Sequence, residues 1–565
     1  MAYDWYKDAV FYEVSVRAFA DSNGDGIGDL PGLTSKLDYL QALGIDAIWM
    51  LPIFPSPLRD DGYDVADYCD IHPDYGTLED FGRLVEEAHR RGLRIVVELV
   101  PNHTSDQHPW FQASRDPNHP EHARYRDWYV WSDTPDRYKD ARIIFIDYEP
   151  SNWTYDPLRG QYYWHRFFHH QPDLNYDNPA VQREMMKILQ FWIDQGADAL
   201  RIDAPPYLYE REGTNCENLP ETHAYLKRLR ALVDAYAPGT MLLSEANQWP
   251  QEVRAYFGDG DEMHMNFHFP LMPRIFMALA QADRTSIEWI MARTPELPPI
   301  CQWGTFLRNH DELTLEMVTP EERTFMWAYY APEPRMRLNL GIRRRLAPLL
   351  ENDQDRIRCA NSILLTFIGS PFIYYGDEIG MGDNIWLEDR NGVRTPMQWT
   401  AAPNAGFTAP DVPAERLYLP LIDDAVFGYR TVNVAAQEAE PDSLLNWMRR
   451  ALQVRRQHPV FGRGHLILLA PEPKSVLAYV REGPQETVLV VNNLAAEEQR
   501  VTLDLGPYVG ARLEDLFTGQ TEPETASEAW TLTLPRYGYR WLRLVGLGPR
   551  AAESFHEEVV ARCRA

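Results

Sequence analysis

QGADALRIDAPPYLYEREG, residues 195–213, is the stretch from which the fold of this chain is predicted. The run VQREMMKILQFWIDQ before it has a helical period, and Gly196 follows as a helix-ending residue. Ala199 to Ile202 then form a short apolar run that favours a buried strand, and Asp203 stands where this strand ends. The stretch therefore predicts a helix that leads into a buried strand with a carboxylate at its carboxyl end.

The same alternation of helix and strand signals runs through most of the chain. Helical patterns such as FGRLVEEAHRRG separate the apolar strand runs. Eight strands that alternate with helices predict one closed (β/α)8 TIM barrel, which is an α/β fold. The predicted strands span residues 9–16, 45–51, 94–100, 198–202, 241–245, 262–268, 301–307 and 371–378.

Asp203 would then lie at the carboxyl mouth of a barrel strand, where the active sites of this fold are found. Arg201 is two residues earlier and on the same face, so its guanidinium would hold the carboxylate ionised within the substrate site. A structural Arg–Asp pair is the alternative for this stretch alone. Glu245, and His310 with Asp311, follow two later strands in the same way. Three carboxylates at three strand ends favour a glycosidase.

Four short motifs occur in order: ELVPNH (98–103), LRIDA (200–204), SEAN (244–247) and RNHD (308–311). Together they resemble the motifs of glycoside hydrolase family 13, the α-amylase family. The resemblance implies that Asp203 is the nucleophile, Glu245 the general acid and base, and Asp311 the carboxylate that stabilises the transition state. It also implies retention through a covalent glucosyl-enzyme, for which the first two carboxyl groups lie roughly 5 Å apart.

The resemblance further implies how a terminal glucose is held. His103 and His310 would hydrogen-bond its hydroxyls, and Tyr63 would stack on its ring. Asp60 and Arg394 would form a salt bridge that closes the pocket behind the non-reducing end, as in members that act on small substrates. The alternatives are structural histidines and ordinary core packing for the tyrosine.

Three longer stretches are more selective than the shared motifs: ARIIFIDYEPSNWTYD, APPYLYEREGTNCENLPETHAYLK and SEANQWP. They resemble the branch of the family that interconverts maltose and trehalose, with minor hydrolysis to glucose. This cycle requires a pocket that excludes water while the freed glucose turns over. The loops around Phe145, Trp153 and Tyr155, and the 207–222 loop, are the predicted lids.

Several positions depart from the pattern of the family. Pro206 and Tyr207 replace the residues that amylases commonly use at the acceptor site, which disfavours endo-amylase activity. Glu98 stands where many relatives have Asp, in a position interpreted as structural. The alternatives to the isomerase are an α-glucosidase or oligo-1,6-glucosidase, a sucrose-type isomerase and a non-enzymatic amylase-like binding subunit. The three intact carboxylates argue against the last of these.

Two structural calcium sites are predicted, and no organic cofactor. The loop DSNGDGIGD has calcium-loop spacing, although Gly32 replaces the Glu that an EF-hand requires, and an unfilled polar turn is the alternative. Its ligands would be Asp21, Asn23, Asp25, Asp29 and the Ile27 carbonyl, and the resemblance implies calcium or magnesium. The resemblance alone implies a second site formed by Asn102, Asp173, Glu210 and the carbonyls of Tyr207 and Leu208.

The predicted domains follow from where the barrel rhythm is interrupted. Residues 1–103 and 175–462 form the barrel, and residues 104–174, which lack a helical period, form an inserted B domain. A second insertion, residues 312–350, contains MRLNLGIRRRLAPLL, interpreted as a solvated helix face rather than a binding patch. Short alternating strands in residues 463–548 predict an antiparallel sandwich, and residues 549–565 form a tail of helical pattern or a frayed end.

Composition limits the partners of the chain. Its 83 acidic and 55 basic residues give a net charge of −28, which disfavours nucleic acid and anionic membranes but not neutral disaccharides such as maltose and trehalose. No secretory signal or membrane-spanning run is evident. Five unpaired cysteines are expected to be buried thiols in a reducing cytoplasm. Exposed aromatic residues are compatible with a homodimer.

Overall fold

Eight parallel strands close a barrel in which each strand pairs with the next along the chain and the eighth pairs with the first. The predicted (β/α)8 barrel is therefore confirmed. This computed structural model describes residues 4–522 and 528–546. The barrel strands are Phe11–Val14, Ala47–Met50, Arg94–Leu99, Ala199–Ile202, Met241–Ser244, Met265–Phe267, Gln302–Phe306 and Ser370–Tyr374.

Helices cover the outside of the barrel, and several of them bury one apolar face against it. Leu78–Arg90 shows the local cause, because Thr77 and Asp80 form a capping box at its start and Phe81, Leu84, Val85 and Ala88 face inward. Apart from the helices of the insertion after the third strand, the other helices between barrel strands are Val16–Phe19, Leu30–Ser35, Leu37–Leu43, Pro179–Asp194, Pro220–Tyr236, Pro250–Val253, Leu271–Gln281, Thr285–Met291, Pro320–Tyr330, Leu346–Leu349 and Gln354–Thr366.

Gly196 connects the helix Pro179–Asp194 to the fourth strand by a tight turn. Its φ of 100° lies in the left-handed region, and a Cβ on it would stand 2.7 Å from Cγ1 of Val85. A larger residue here would clash with the helix Leu78–Arg90 as well as strain the backbone. The turn predicted from the sequence therefore also fixes how close two barrel helices lie.

The insertion after the third strand contains a three-stranded sheet of Trp131–Ser132, Gln161–Trp164 and Trp153–Asp156. Although its sequence lacks a helical period, two short helices form, Pro109–Arg115 and His122–Tyr125. The first begins with proline, whose fixed φ suits the first helical position, and the ring of His108 accepts from the Trp110 amide. Aromatic residues, Trp153 and Trp164 among them, form the small core of this insertion.

The interpretation of MRLNLGIRRRLAPLL as a solvated helix face was wrong. The run forms the two-stranded hairpin Arg337–Leu338 and Gly341–Ile342, followed by the short helix Leu346–Leu349. Arg345 is fully buried, and its guanidinium donates to the carbonyl of Tyr375 at 2.7 Å. Its arginines bind backbone carbonyls and Asp383, so they hold the loops after the seventh and eighth strands together.

After the eighth strand the chain forms the helices Val434–Ala439, Leu444–Gln457 and Val460–Arg463 and then an antiparallel domain. One sheet has five strands, in the order His465–Leu469, Val476–Glu482, Thr487–Asn493, Tyr539–Val545 and Arg512–Asp515. Gln499–Asp504 and Ala529–Leu534 form a second sheet. Inward residues of both sheets share one core, as predicted for a sandwich.

Within residues 4–522 and 528–546, no helix is long and apolar enough to cross a membrane. Cys216, Cys301 and Cys359 are buried free thiols, as expected, but the prediction was wrong for Cys69, which is exposed. Cys563 and the predicted tail, residues 549–565, lie outside the described residues.

Candidate active site

Arg201, on the fourth barrel strand, brings three buried or half-buried carboxylates together. Its Nη1 lies 2.5 Å from Oδ1 of Asp203, and its Nη2 lies 2.6 Å from Oε2 of Glu245. Nη1 also binds Glu98 on the third strand. Because one guanidinium that is 1% exposed binds Asp203 and Glu245 by its two terminal nitrogens, the two predicted catalytic carboxylates are held side by side.

Glu98 has a larger part in the site than its interpretation as a structural strand residue implies. Oε2 accepts from the indole of Trp49 at 2.6 Å, while Oε1 binds Arg201. Burial raises the pKa of Glu98 to about 8 against the lowering effect of the guanidinium. Glu98 therefore orients Arg201, and through it the carboxylate of Asp203.

The backbone turns sharply directly after Asp203. Ala204 has φ 47° and ψ 40°, a left-handed conformation that costs about 1 kcal/mol or more for a residue with a Cβ. The turn leads into the 3-10 segment Pro205–Tyr207, so Asp203 points into the barrel mouth while the ring of Tyr207 lines the pocket. Nothing in the sequence marks this alanine as strained.

His310 and Tyr63 form one unit beside Asp311. The two rings are nearly parallel, with centroids 5.5 Å apart, and Nε2 of His310 hydrogen-bonds the Tyr63 hydroxyl at 2.9 Å. The same nitrogen lies 3.2 Å from Oδ2 of Asp311. On its other side, Nδ1 of His310 lies 2.5 Å from Oε1 of Glu13, a buried carboxylate on the first barrel strand.

The predicted salt bridge between Asp60 and Arg394 was wrong. Asp60 binds Arg390 instead, with Nη2 2.5 Å from Oδ1. Arg394 binds Asp61 at 3.3 Å and Asp311 at 3.0 Å, and it donates to the His310 carbonyl. Since both arginines lie on the same loop, only their positions in the folded structure decide which of them closes the end of the pocket.

Electrostatics separate the roles of the carboxylates. Burial, reinforced by Asp203 and Asp311, raises the pKa of Glu245 well above its ordinary value, although Arg201 opposes the shift. Burial also disfavours the charged form of Asp311, but the His310 ring and the guanidinium groups of Arg390 and Arg394 outweigh it and lower its pKa. A protonated Glu245 beside an ionised Asp311 fits a general acid and an electrostatic stabiliser.

A pocket lies above these groups, at the carboxyl mouth of the barrel. Burial lowers the pKa of His103 to about 4, so its ring is neutral near neutral pH. Its buried Nε2 has no partner among the described residues and is free to bind a sugar hydroxyl. The lining residues include Asp60, Tyr63, His103, Ile144, Phe145, Phe167, Asp203, Tyr207, Glu245, Asn247, Phe269, Asp311, Glu312, Thr314, Glu316 and Arg390.

Only part of the predicted lid lies at this pocket. Phe145 and Tyr207, from the two predicted loops, line it. Trp153 is buried in the core of the B domain, and Tyr155 is 52% exposed beside Tyr162, so neither of these two lines the pocket. That the loops around Trp153 and Tyr155 act as lids stays a prediction.

Arg142 joins the B domain to the loops after two barrel strands. Its Nη1 lies 2.9 Å from Oε2 of Glu316 and its Nε lies 2.9 Å from Oε1 of Glu217. Nη2 donates to the Tyr207 hydroxyl at 3.2 Å. Asn247 also donates to Glu316, at 3.1 Å, so the side of the pocket away from Asp60 is spanned by charged hydrogen bonds.

The fold and this geometry agree with the comparisons with known proteins. The family model for the alpha amylase catalytic domain matches residues 14–327 and 342–464. The chain belongs to the α-amylase family. The model for the maltogenic amylase C-terminal domain matches residues 466–541, which is the antiparallel domain.

Relatives of this α-amylase family chain are similar over nearly its whole length. A trehalose synthase/amylase of Mycolicibacterium smegmatis is 58% identical over 555 residues, which cover 96% of this chain and 93% of that protein. A trehalose synthase of Pimelobacter is 56% identical and covers 96% of each chain. Among solved structures, trehalulose synthase of Pseudomonas mesoacidophila superposes with a TM-score of 0.75 at 30% identity, over 96% of this chain and 99% of that one.

The residues of the second predicted metal site fit a hard cation. Three oxygens are buried and have no hydrogen-bond partner among the described residues: Oδ1 of Asn102, Oδ2 of Asp173 and Oε1 of Glu210. Burial raises the pKa of both carboxyl groups well above the ordinary range, and the charge of Asp173 adds to the shift of Glu210. Clustered oxygen ligands suit calcium, so metal binding here, with the carbonyls of Tyr207 and Leu208, stays a prediction.

The loop 21–29 is folded on its own backbone. Asp21 accepts the amides of Gly24 and Gly26 at 2.8 Å, Asn23 accepts that of Asp25, and Asp25 accepts that of Ile27. Asp29 caps the helix Leu30–Ser35. The described residues contain no group of three or more His, Cys, Asp or Glu side chains placed to hold a metal. Calcium or magnesium binding at this loop stays a prediction.

Sequence reasoning missed several residues of the α-amylase family site. Glu13 is an ionisable residue inside the apolar run AVFYEVSV, which was the available signal. Arg390 had a weaker signal, since it lies four residues before Arg394. Arg142 and Glu316 had none, because each lies in an irregular insertion and meets the other only in the folded chain.

Proposed function

We propose that the chain interconverts maltose and trehalose by intramolecular transfer of a glucosyl group, with minor hydrolysis to glucose. The observation that carries this proposal is the pocket itself: Asp203, Glu245 and Asp311 meet at one end, and Arg142 spans the other. An enzyme that transfers glucosyl groups as an isomerase is supported by relatives at 56–58% identity.

In the first displacement, a carboxylate oxygen of Asp203 attacks the anomeric carbon of the terminal glucose. Glu245 gives its proton to the glycosidic oxygen as the bond to the second glucose breaks. Asp311, held ionised by Arg390 and Arg394, faces the positive charge that develops on the sugar ring. The products at this stage are a covalent glucosyl-enzyme and one free glucose.

In the second displacement, Glu245 takes a proton from the anomeric hydroxyl of the freed glucose. That oxygen attacks the glucosyl carbon and releases Asp203, so the two anomeric carbons are joined with the α configuration retained. If water enters instead, glucose is the product. Water at ~55 M competes with one captive sugar, so closure of the pocket decides the outcome.

The arrangement of the acceptor side supports retention of the glucose. Phe145 and Phe269 form apolar walls, and Arg142, which is half-buried, binds Glu316 and Tyr207, two residues that line the pocket. A sugar that turns over within this space exchanges hydrogen bonds with Asn247 and Glu316 rather than with solvent. The ions proposed at the two calcium sites would stabilise the fold and take no part in these steps.

We also propose that the chain acts on free disaccharides in the cytoplasm without an organic cofactor. The net charge of −28 and the absence of paired cysteine spacing in the sequence support this setting. A homodimer stays a prediction.

The test is to incubate the purified chain with maltose alone and follow the anomeric proton signals over time. Trehalose should appear ahead of glucose, and trehalose alone should yield maltose. Asp203→Asn, folded to the same extent, should do neither. Accumulation of glucose without any trehalose would contradict the proposal and assign the chain as an α-glucosidase.

A further inference from the structure

Glu13 is a fully buried carboxyl group at the base of the pocket. It lies in the first barrel strand, in register with Trp49 and Tyr374 of the neighbouring strands. Its Oε1 lies 2.5 Å from Nδ1 of His310 and accepts the backbone amide of His310 at 3.1 Å. Its Oε2 is buried and has no hydrogen-bond partner in the part of the chain that the structure describes. Glu13 is thus directed at one residue, His310.

The two nitrogens of His310 face groups with different demands. Nδ1 faces Glu13, which donates when it is protonated and accepts when it is ionised. Nε2 faces the Tyr63 hydroxyl, which can do either, and lies 3.2 Å from Oδ2 of Asp311. Asp311 is bound by Arg390 and Arg394, so it is an anion that can only accept. A lone pair on Nε2 would be repelled by this carboxylate, and a proton there would be attracted.

With a proton required on Nε2, the possible states of the pair are few. If Glu13 is protonated, it donates to Nδ1, and His310 is the neutral tautomer with its proton on Nε2. If Glu13 is ionised, Nδ1 must carry a proton as well, and His310 is a cation. In both states one proton lies between Glu13 and Nδ1, the pair has no net charge, and Nε2 remains a donor.

We propose that Glu13 is a positioning residue that shares one proton with Nδ1 of His310 and so keeps a proton on Nε2, facing Asp311 and the bound glucose. Glu13 contacts no substrate and acts only through His310. The inference rests on the proposed function only for its kinetic readout, because the protonation of His310 can be observed without substrate.

The surroundings favour the state in which Glu13 holds the shared proton. Burial raises the pKa of Glu13 and lowers that of His310, so both shifts move the pair toward its neutral form. Among the described residues, no lysine faces the pair, and the arginines around it are bound to other carboxylates or to backbone carbonyls. The charged or titratable groups around the pair are Tyr63, Glu98, Arg201, Arg308, Asp311, Tyr374, Arg390 and Arg394.

The pair makes the site sensitive to high pH in a defined way. When the shared proton is lost, Glu13 is an anion that accepts from Nδ1, and the remaining ring proton moves to that nitrogen. Nε2 then presents a lone pair to Asp311 and to the sugar hydroxyl. An amide at position 13 cannot ionise, and its NH2 group can donate to Nδ1 at every pH. Glu13→Gln therefore separates the charge of this residue from its hydrogen bond.

The test compares Glu13→Gln and Glu13→Leu with Glu378→Gln as the matched control. Glu378 is also a fully buried barrel carboxyl group, bound by the hydroxyls of Tyr12 and Tyr39. The substrate is p-nitrophenyl α-glucoside, because nitrophenolate leaves without a proton and Glu245 therefore does not set the alkaline limb. This substrate reports cleavage whether or not the chain forms trehalose.

We expect the alkaline limb of kcat/KM to move up by about one pH unit or more in Glu13→Gln, with kcat lowered less than in Glu13→Leu. In Glu13→Leu, kcat should fall about 100-fold because His310 loses its partner. Glu378→Gln should keep the limb of the parent. If Glu13→Gln keeps it as well, the inference is wrong, since a merely structural carboxyl would leave the limb in place.

A second readout needs neither turnover nor the leucine variant. In protein labelled with 15N-histidine and free of substrate, the signals of His310 are identified by their loss in His310→Gln. They should show a proton on Nε2 in the parent chain and in Glu13→Gln. A proton on Nδ1 with a lone pair on Nε2, at a pH where the parent is active, would overturn the inference. Absence of trehalose with these signals present would instead contradict only the proposed function.

Discussion

Arg142 of the B domain lies 2.9 Å from the carboxylate of Glu316, which follows the seventh barrel strand. The same guanidinium binds Glu217 and the hydroxyl of Tyr207, from the segment after the fourth strand. Three parts of the chain that are distant in sequence are therefore joined by one side chain over the acceptor end of the pocket. This contact supports the proposal that the freed glucose is retained.

Replacement of Arg142 by alanine should raise hydrolysis relative to isomerisation severalfold, because water gains access to the glucosyl-enzyme. The measurement is the ratio of glucose to trehalose formed from maltose. Arg124→Ala is the control, since Arg124 is an exposed arginine of the same insertion whose ion pair is with the exposed Glu121. An unchanged ratio of glucose to trehalose in Arg142→Ala would show that this contact does not keep water out of the pocket.

Replacement of Glu245 by glutamine should lower turnover of maltose about 100- to 10,000-fold, because the leaving sugar needs a proton. Release of p-nitrophenol from its α-glucoside should be far less affected in the first turnover. Asp203→Asn should lose both reactions. If Glu245→Gln affected the two substrates equally, Glu245 would not be the general acid.

The pairing of Asp60 with Arg390 predicts a dependence on pH. Burial raises the pKa of Asp60 to about 7, although Arg390 lowers it. As pH falls through this value, Asp60 loses its charge and its attraction for Arg390, so KM for maltose should rise on the acid side. In Asp60→Asn, KM should not respond to this titration. For the free energy of unfolding the direction is opposite. The raised pKa of Asp60 adds stability that is fully present below the pKa of this group in the unfolded chain, and this stability is lost as pH rises through about 7.

Removal of calcium should lower the melting temperature, because Asp173 and Glu210 then remain buried beside each other without a cation. Addition of calcium to the chelated protein should restore it. Glu210→Gln should melt lower than the parent and respond less to the chelator, while Asp25→Asn tests the loop 21–29 in the same assay. An equal response of the parent and both variants would contradict metal binding at these sites.

Sequence periodicity was enough to predict the barrel and the placement of its main carboxylates. Apolar runs of strand length separated by helical periods are local properties, and each predicted strand is found within a few residues of its place. Asp203 and Glu245 follow such runs directly, and Asp311 follows one after four intervening residues. Strand ends in a closed parallel barrel meet at one mouth. Order along the chain therefore placed these residues together before any contact was known.

The irregular segments were less predictable. The arginine-rich run around Arg345 resembles a solvated helix face in composition, but it folds as a hairpin whose arginines bind the Tyr375 carbonyl and Asp383, in the loop after the eighth strand. Nothing within fifteen consecutive residues contains that information. The same limit applies to Trp153, whose aromatic ring suits a lid or a core equally well.

The residues that the barrel strands place at the mouth could be predicted from the sequence, because backbone periodicity dictates where a strand ends and which side chains face inward. The pairing of side chains from distant segments depended on the folded chain: Arg390 rather than Arg394 with Asp60, Arg142 with Glu316, and Glu13 of the first strand with His310. An ion pair or hydrogen bond depends on distances of a few ångströms between segments that are far apart in the chain, and no local pattern specifies those distances.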